Sequence, residues 1–222
     1  PEYLGSMGMY IFKAEVLKRA LDNGLTDFGK EIIPRVIDTF DVSAYVFGDF
    51  WVDIGTIRSF YETHLDLASS APSFNFYDEE MPIYTHRKHL PATKMINCSI
   101  YHSLAAEGSV IHESSILNSV IGLRMKISSG AILDGVVAMG TDTYETPEQL
   151  AENRRRGIPD IGIGAHTAIK SAIIDTNARI GSNCEIGIGG RRRDDGAYAD
   201  HHVRDGIIII PKNAIIPDGT VM

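Results

Sequence analysis

The chain has 222 residues, 44% of them hydrophobic and 23% charged, and its formal net charge is −8. The acidic balance argues against a nucleic-acid-binding surface, and no apolar run reaches the ~18 residues that a membrane-spanning helix needs. Length and composition allow one large or two smaller globular domains. The only cysteines, Cys98 and Cys184, lack metal-ligand spacing, so we expect free thiols in a reducing cytoplasm.

The first 70 residues alternate between strand-like and helix-like patterns, which is typical of an α/β domain. Residues 7–12 and 43–47 are predicted strands, and an amphipathic helix is predicted between them at 13–23. Asp27 can cap a second, short helix, and Thr56 can cap a third that ends near residue 68.

Residues 71–95 have a different character, with three prolines and several aromatic residues but no period. We interpret this stretch as an extended linker that packs on a surface through its aromatic side chains.

From about residue 96, aliphatic residues recur every five or six positions. They include Ile111, Ile116, Ile121, Ile127 and Ile132, and after an interruption Ile163, Ile169, Ile174, Ile180 and Ile186. This period predicts a left-handed parallel β-helix over 96–222, in which each coil uses three hexapeptides. An ordinary β-sandwich, the structural alternative, would show period two and longer spacings.

Two interruptions of the period are expected to project from the β-helix. Residues 146–157 predict a helix that begins after Thr146, with Pro147 at its first position, and ends at Gly157. Residues 189–205 are rich in Gly, Arg and Asp and predict a surface loop.

Three short stretches of the α/β part each combine a polar side chain with a glycine or an aromatic ring. Their candidate functional residues are Ser6, Tyr10, Asp27, Phe28, Trp51 and Asp53. The set suits a sugar, because carboxylates accept hydrogen bonds from hydroxyls and aromatic rings cover apolar sugar faces. The pattern leaves structural alternatives open: Asp27 as a helix cap, Trp51 as a core residue, and Asp53 as a buried carboxylate bonded to backbone N–H groups.

The histidines of the β-helix region raise two rival classes of enzyme. Their spacing is irregular, and only His201 and His202 are adjacent, so the pattern does not favour a zinc site. An acyltransferase with a catalytic histidine on the β-helix wall is left open by the periodicity.

Six motifs together suggest a known family. They are Ser6-Met7-Gly8-Met9-Tyr10, Asp27-Phe28-Gly29-Lys30-Glu31-Ile32-Ile33-Pro34, Trp51-Val52-Asp53-Ile54-Gly55-Thr56, Pro82-Ile83-Tyr84-Thr85, Tyr144-Glu145-Thr146 and Ile173-Ile174-Asp175-Thr176-Asn177-Ala178-Arg179-Ile180-Gly181. In order and across nearly the whole chain, they resemble ADP-glucose pyrophosphorylase (glucose-1-phosphate adenylyltransferase). The likeness is closer to the bacterial, cyanobacterial and plant-type enzymes than to GDP-mannose or dTDP-glucose pyrophosphorylases.

The resemblance implies a Rossmann-like nucleotidyltransferase domain over 1–70, a linker over 71–95 and a left-handed parallel β-helix over 96–222. It implies synthesis of ADP-glucose and pyrophosphate from ATP and glucose 1-phosphate, with Mg²⁺, for glycogen or starch. The six candidate residues above match positions that line the family's glucose 1-phosphate pocket. Asp53 also matches an acid of the metal-binding pair, which makes it the expected catalytic residue.

The resemblance also makes us expect that the chain is a fragment. It begins without Met, and the family's Gly-rich nucleotide loop with its Arg, its first metal-binding Asp and its Glu-Lys-Pro motif are not in the sequence. We expect these motifs upstream of Pro1 and no activity from the isolated chain. Two alternatives are a non-catalytic regulatory or assembly subunit of the same tetramer, and a pyrophosphorylase that uses another nucleotide.

Regulation and assembly are implied less directly. Lys212 matches a lysine of the family's regulatory anion site, whereas Thr176 stands where photosynthetic enzymes often have another lysine. Lys88 and Arg204 are further candidates for a site that binds a small phosphorylated effector. The resemblance also implies a homotetramer and a cytoplasmic location, or a plastid location in a plant.

Overall fold

The structure is a computed structural model that describes residues 5–188 and 194–222. The chain forms two compact units, Pro1–Asp53 and Ile54–Met222.

The first unit is built around three short helical segments. These are α1 (Ala14–Leu21), a π-helix (Phe28–Ile32) and α2 (Ile33–Val36), which follows it directly. Their small core contains the buried side chains of Ala20, Ile32 and Val36, against which Phe28 and Phe40 pack.

The predicted strands at 7–12 and 43–47 are wrong, because neither segment forms a strand in the structure. Their apolar side chains are largely exposed: Ile11 fully, Met9 to 69% and Tyr45 to 88%. A strand is stable only where a neighbour pairs its backbone N–H and C=O groups. Residues 5–53 contain no such strand, so β propensity alone does not produce a sheet here.

The second unit opens with α3 (Ile57–Leu67), which begins after Thr56 as predicted. The Thr56 hydroxyl accepts a hydrogen bond from the Ser59 N–H at 3.1 Å, and the Ser59 hydroxyl accepts one from the Thr56 N–H at 3.2 Å. This reciprocal pair is a capping box, which satisfies two otherwise unpaired backbone donors.

The segment that follows α3 does not bury its aromatic side chains, contrary to the prediction for the linker. Tyr77 is 81% exposed and Tyr84 is 93% exposed, and Phe74 and Phe76 contact each other edge to face. The prolines and the absence of any period keep this segment out of both helix and sheet.

The rest of the second unit is a parallel β-helix. Its strands are β1 (Lys94–Ile96), β2 (Ser99–Tyr101), β3 (Leu104–Ala105), β4 (Val110–His112), β5 (Ser115–Leu117), β6 (Val120–Leu123), β7 (Lys126–Ile127), β8 (Ile132–Gly140), β9 (Gly162–Ile163), β10 (Ala168–Ile174), β11 (Arg179–Ile180), β12 (Glu185–Ile186), β13 (Gly196–Ala197), β14 (His202–Arg204), β15 (Ile207–Ile210) and β16 (Ile215–Ile216). Strands β1, β2 and β3 of the first coil pair in parallel with β4, β5 and β6 of the next.

The interior of the β-helix confirms the repeat read from the sequence. Nine of the ten recurring isoleucines are buried, with 2% exposure or less at, for example, Ile111, Ile163 and Ile180. The prediction is wrong for Ile132, which is 52% exposed, because the next residue, Leu133, takes the inward position. Equivalent residues of successive coils lie in register, so each aliphatic side chain stacks on the one in the coil before it. At about 25 cal/mol per Å² of apolar surface buried, this continuous stack is the main stabilising element of the unit.

The first interruption of the repeat is the predicted helix, α4 (Pro147–Arg156). Thr146 and Gln149 form a capping box at its start, and Gly157 ends it with a left-handed φ of 63°. Both ends of the helix are therefore set by local sequence.

The second interruption is not simply a surface loop. Residues 189–193, including the Arg191–193 run, lie outside the described residues, but β13 and β14 form an antiparallel hairpin that pairs with β15. Val203 of β14 is buried to 1% exposure in the main core. The loop prediction is therefore wrong for β13 and β14. The inward-facing side chain of Val203 and the available edge of β15 favour strand pairing over a loop.

Helix α3 packs on the outside of the β-helix. Ile57, Phe60, Tyr61 and Leu65 contact a small core formed by Val137, Ile173 and Ile207. The Tyr61 hydroxyl donates a 2.6 Å hydrogen bond to the Gly135 carbonyl, and burial raises the pKa of Tyr61 because desolvation disfavours the phenolate. The helix is thus part of the second unit, although the sequence groups it with the first 70 residues.

The Tyr61 contact yields a stability prediction. Tyr61→Phe removes the donor to the Gly135 carbonyl and is expected to lower the free energy of unfolding by about 0.5–1.5 kcal/mol. Urea denaturation followed by circular dichroism measures the change. Tyr77→Phe is the control, because Tyr77 is 81% exposed and should lose almost nothing; equal losses in the two variants would contradict the prediction.

Candidate functional site

Contacts join three of the six candidate sugar-binding residues in the first unit. The Ser6 hydroxyl and the Tyr10 hydroxyl lie 3.0 Å apart, and the Tyr10 ring stacks on Phe28 with centroids 5.8 Å apart. Phe12, which the sequence analysis did not select, contacts Phe28 at a centroid distance of 5.9 Å. The result is an aromatic cluster that carries two adjacent hydroxyl groups.

Asp27 lies at the start of the π-helix, next to this cluster. Its Oδ1 accepts a hydrogen bond from the Lys30 N–H at 2.8 Å, so the helix-cap interpretation is correct. The Glu31 carboxylate accepts hydrogen bonds from the N–H groups of Thr26 and Asp27, at 3.1 and 3.0 Å. Glu31 was not selected from the sequence, although an acid following an N-cap Asp is a recognisable capping pattern.

Gly29 keeps space open beside the polar atoms of the cluster. A Cβ atom placed on Gly29 would lie 3.6 Å from Asp27 Oδ1 and 3.7 Å from the Tyr10 hydroxyl. Both oxygens therefore border the surface left bare by this glycine. A carboxylate, a phenol and a serine hydroxyl beside aromatic rings can together bind the hydroxyls and one apolar face of a sugar.

Trp51 and Asp53 lie on a different segment of the same unit, and this segment has no regular secondary structure. Trp51 is 46% exposed and Asp53 is also exposed, so the core and buried-carboxylate alternatives are both wrong. Exposure leaves both side chains accessible to a ligand.

The Asp53 carboxylate is a candidate ligand for Mg²⁺. Among the residues that the structure describes, no three His, Cys, Asp or Glu side chains are grouped to hold a metal ion. Mg²⁺ is commonly held by one or two carboxylates together with substrate phosphates and waters. An exposed Asp53 fits the role of one such carboxylate.

The three candidate regulatory residues are not all brought to one place. Lys212 lines a cavity of about 300 Å³ whose other walls are Tyr198, Ala199, Asp200, His201, His202, Pro211, Asn213, Ala214 and Ile215. Neither Lys88 nor Arg204 is among the lining residues, and both side chains are exposed. One wall is fixed by His201, whose Nδ1 lies 2.7 Å from Asp200 Oδ1 and whose ring stacks on Tyr198.

Comparison with protein families gives two matches that follow one another along the chain. Residues 1–70 match the nucleotidyl transferase model, and residues 88–221 match the model of the GLGC left-handed parallel β-helix domain. These matches confirm the predicted fold class, including the handedness of the β-helix, and together define a sugar-nucleotide pyrophosphorylase. Within that class, the chain belongs to the ADP-glucose pyrophosphorylase family.

Within residues 5–188 and 194–222, no helix has both the length and the apolar character needed to span a membrane.

Proposed function

We propose that this chain takes part in ADP-glucose synthesis for glycogen or starch, in which glucose 1-phosphate attacks the α-phosphorus of ATP and pyrophosphate leaves. The observation that carries the proposal is the cluster of Ser6, Tyr10, Asp27 and Phe28 in a unit that matches a nucleotidyl transferase. The chain's proposed share of the reaction is the sugar phosphate side, because Ser6, Tyr10 and Phe28 contact one another and belong to the residues expected to bind glucose 1-phosphate.

In this proposal the residues of the first unit position the sugar rather than react with it. Asp27, held by its bonds at the π-helix start, accepts hydrogen bonds from sugar hydroxyls, and the exposed ring of Trp51 covers an apolar face. Phosphoryl transfer needs positioning and charge neutralisation more than a protein nucleophile. Such a division of roles requires no covalent intermediate.

We propose Mg²⁺ as the metal of this reaction, with Asp53 as one of its ligands. When bound, the metal would neutralise phosphate charge and orient the reacting groups. The Asp53 carboxylate would hold it on the sugar-phosphate side of the site.

The sugar-binding role is tested by Asp27→Asn. An asparagine at this position still accepts the Lys30 N–H bond and caps the helix, so the fold should be kept while the charge is lost. We expect the dissociation constant for glucose 1-phosphate to rise about tenfold or more, since a hydrogen bond to a charged group is lost. Saturation-transfer NMR of glucose 1-phosphate with this chain measures the constant.

Asp38→Asn is the matched control for that titration, because Asp38 is an exposed acid of the same unit. It should bind glucose 1-phosphate like the unmodified chain. Equal affinity of the Asp27→Asn chain would contradict the proposed role of Asp27, and no binding by the unmodified chain would contradict the proposed sugar site.

We further propose that a small phosphorylated effector binds at Lys212. Support comes from the position of this lysine beside an open depression of about 300 Å³ on the protein surface. The family resemblance supports a homotetramer and a cytoplasmic location, or a plastid location in a plant.

A further inference from the structure

The Lys212 ammonium group already has an anionic neighbour in the protein. Its Nζ lies 3.6 Å from Asp142 Oδ2, and both side chains are more than half exposed. Asp142 is itself held in place by Asn177, whose Nδ2 donates to Oδ2 and whose Oδ1 accepts from the Asp142 N–H, each at 2.8 Å. The carboxylate is therefore fixed by one corner of the β-helix, and Lys212 reaches it from two coils further along the chain.

A second cation lies on the same corner. Arg124 donates a 3.3 Å hydrogen bond to the carbonyl of Thr141, the residue before Asp142. The pKa of Asp142 is lowered because the Asn177 amide donates to its carboxylate, with further contributions from the nearby charges of Lys212 and Arg124. An amide and two cations around one carboxylate are the groups that would also stabilise a phosphoryl group.

Lys212 borders both this carboxylate and the cavity lined by Tyr198, His201 and His202. The lysine side chain is long and rotatable, so its ammonium group can turn from one to the other. A phosphoryl group at Lys212 would leave room for the body of a small ligand in the cavity.

We propose that Asp142 is a built-in competitor for the phosphoryl group of a small phosphorylated ligand. In the free protein its carboxylate pairs with Lys212, and ligand binding replaces that pair with a phosphate–lysine pair. This inference rests on the proposed effector site. It adds what sets the ligand concentration at which that site is filled. A phosphate dianion carries more charge than a carboxylate, so it can displace Asp142, but only at a cost in affinity.

The chain contains a matched control for this arrangement. Asp134 contacts Lys170 at 3.4 Å and accepts a 3.2 Å hydrogen bond from the Asn118 amide. The three residue types are the same as at Asp142, but none of these residues lines the cavity beside Lys212. Asp142→Asn and Asp134→Asn also change the net charge equally.

The test is a titration of the chain with inorganic phosphate and with glycerol 3-phosphate at low ionic strength, followed by ³¹P NMR. Asp142→Asn should bind both probes about two- to fivefold more tightly than the unmodified chain, as expected when an exposed competing charge is removed. Asp134→Asn should leave the affinity unchanged. Adding Lys212→Gln to Asp142→Asn should abolish the gain.

The possible failures are distinguishable. If the unmodified chain binds phosphate through Lys212 and Asp142→Asn binds no more tightly, the competitor role is wrong while the effector site stands. If Asp134→Asn gains as much as Asp142→Asn, the effect is one of net charge, and the competitor role is again wrong. If Lys212→Gln leaves phosphate binding unaltered, the effector site at Lys212 is itself overturned.

Discussion

The Glu145→Gln protein is expected to lose about 3–5 kcal/mol of its free energy of unfolding, as buried ion pairs do when one partner is removed. The Glu145 side chain is only 7% exposed. Its carboxylate forms an ion pair with Arg179 Nη2 at 2.8 Å and accepts hydrogen bonds from Asn153 Nδ2 and the Ile161 N–H, each at 2.7 Å. Glutamine has only one acceptor oxygen, and an NH₂ group takes the place of the other. One of the groups that now contacts the carboxylate would therefore face the NH₂ donor.

The loss should be large because the same network holds the α4 excursion to the β-helix. Asn153, on α4, also donates to Asp160 at 3.1 Å, and Arg179, on β11, also donates to the Pro159 carbonyl at 2.8 Å. Removing the central acceptor therefore weakens the attachment of both the helix and the segment that follows it. An unpaired Arg179 guanidinium, at 20% exposure, would also be poorly hydrated.

Urea unfolding followed by circular dichroism measures this effect. Glu152→Gln is the control, because Glu152 pairs with Arg155 on the exposed face of α4 and should change stability by less than about 1 kcal/mol. A Glu145→Gln protein as stable as the control would show that the network contributes little.

The second large effect is expected at Asp53. In an active enzyme that contains this chain, Asp53→Asn should lower kcat by about 100-fold or more, because a metal-binding charge at the transferring phosphate is lost. The fold should remain intact, since the Asp53 side chain is exposed and lies outside the helices and strands. Pyrophosphate release measures kcat, and thermal unfolding checks the fold.

Asp49→Asn is the control for Asp53→Asn, because it removes an exposed acid from the same irregular segment. Its kcat should stay within about twofold of the unmodified enzyme, as a remote surface charge contributes little. Turnover near normal in Asp53→Asn would contradict the proposed metal-binding role of Asp53.

The sequence was sufficient for features that depend on local chemistry or on a strict repeat. An aliphatic residue every five or six positions can be buried only in the interior of a hexapeptide coil, so the β-helix follows from Ile111 and its successors. The ends of α3 and α4 follow from Thr56, Thr146 and Gly157, because a cap involves only residues within one turn. The same holds for Asp27 as a helix cap.

Only the tertiary structure decided where distant segments meet. Residues 7–12 and 43–47 have the composition of strands, yet pairing depends on a neighbour that local sequence cannot supply. The stacking of Tyr10 on Phe28, the packing of Tyr61 below Gly135 and the pairing of the β13–β14 hairpin each join separate parts of the chain. Asp142 and Lys212 are 70 positions apart in sequence, and the stacking of β8, β10 and β15 places their charges 3.6 Å apart across two coils.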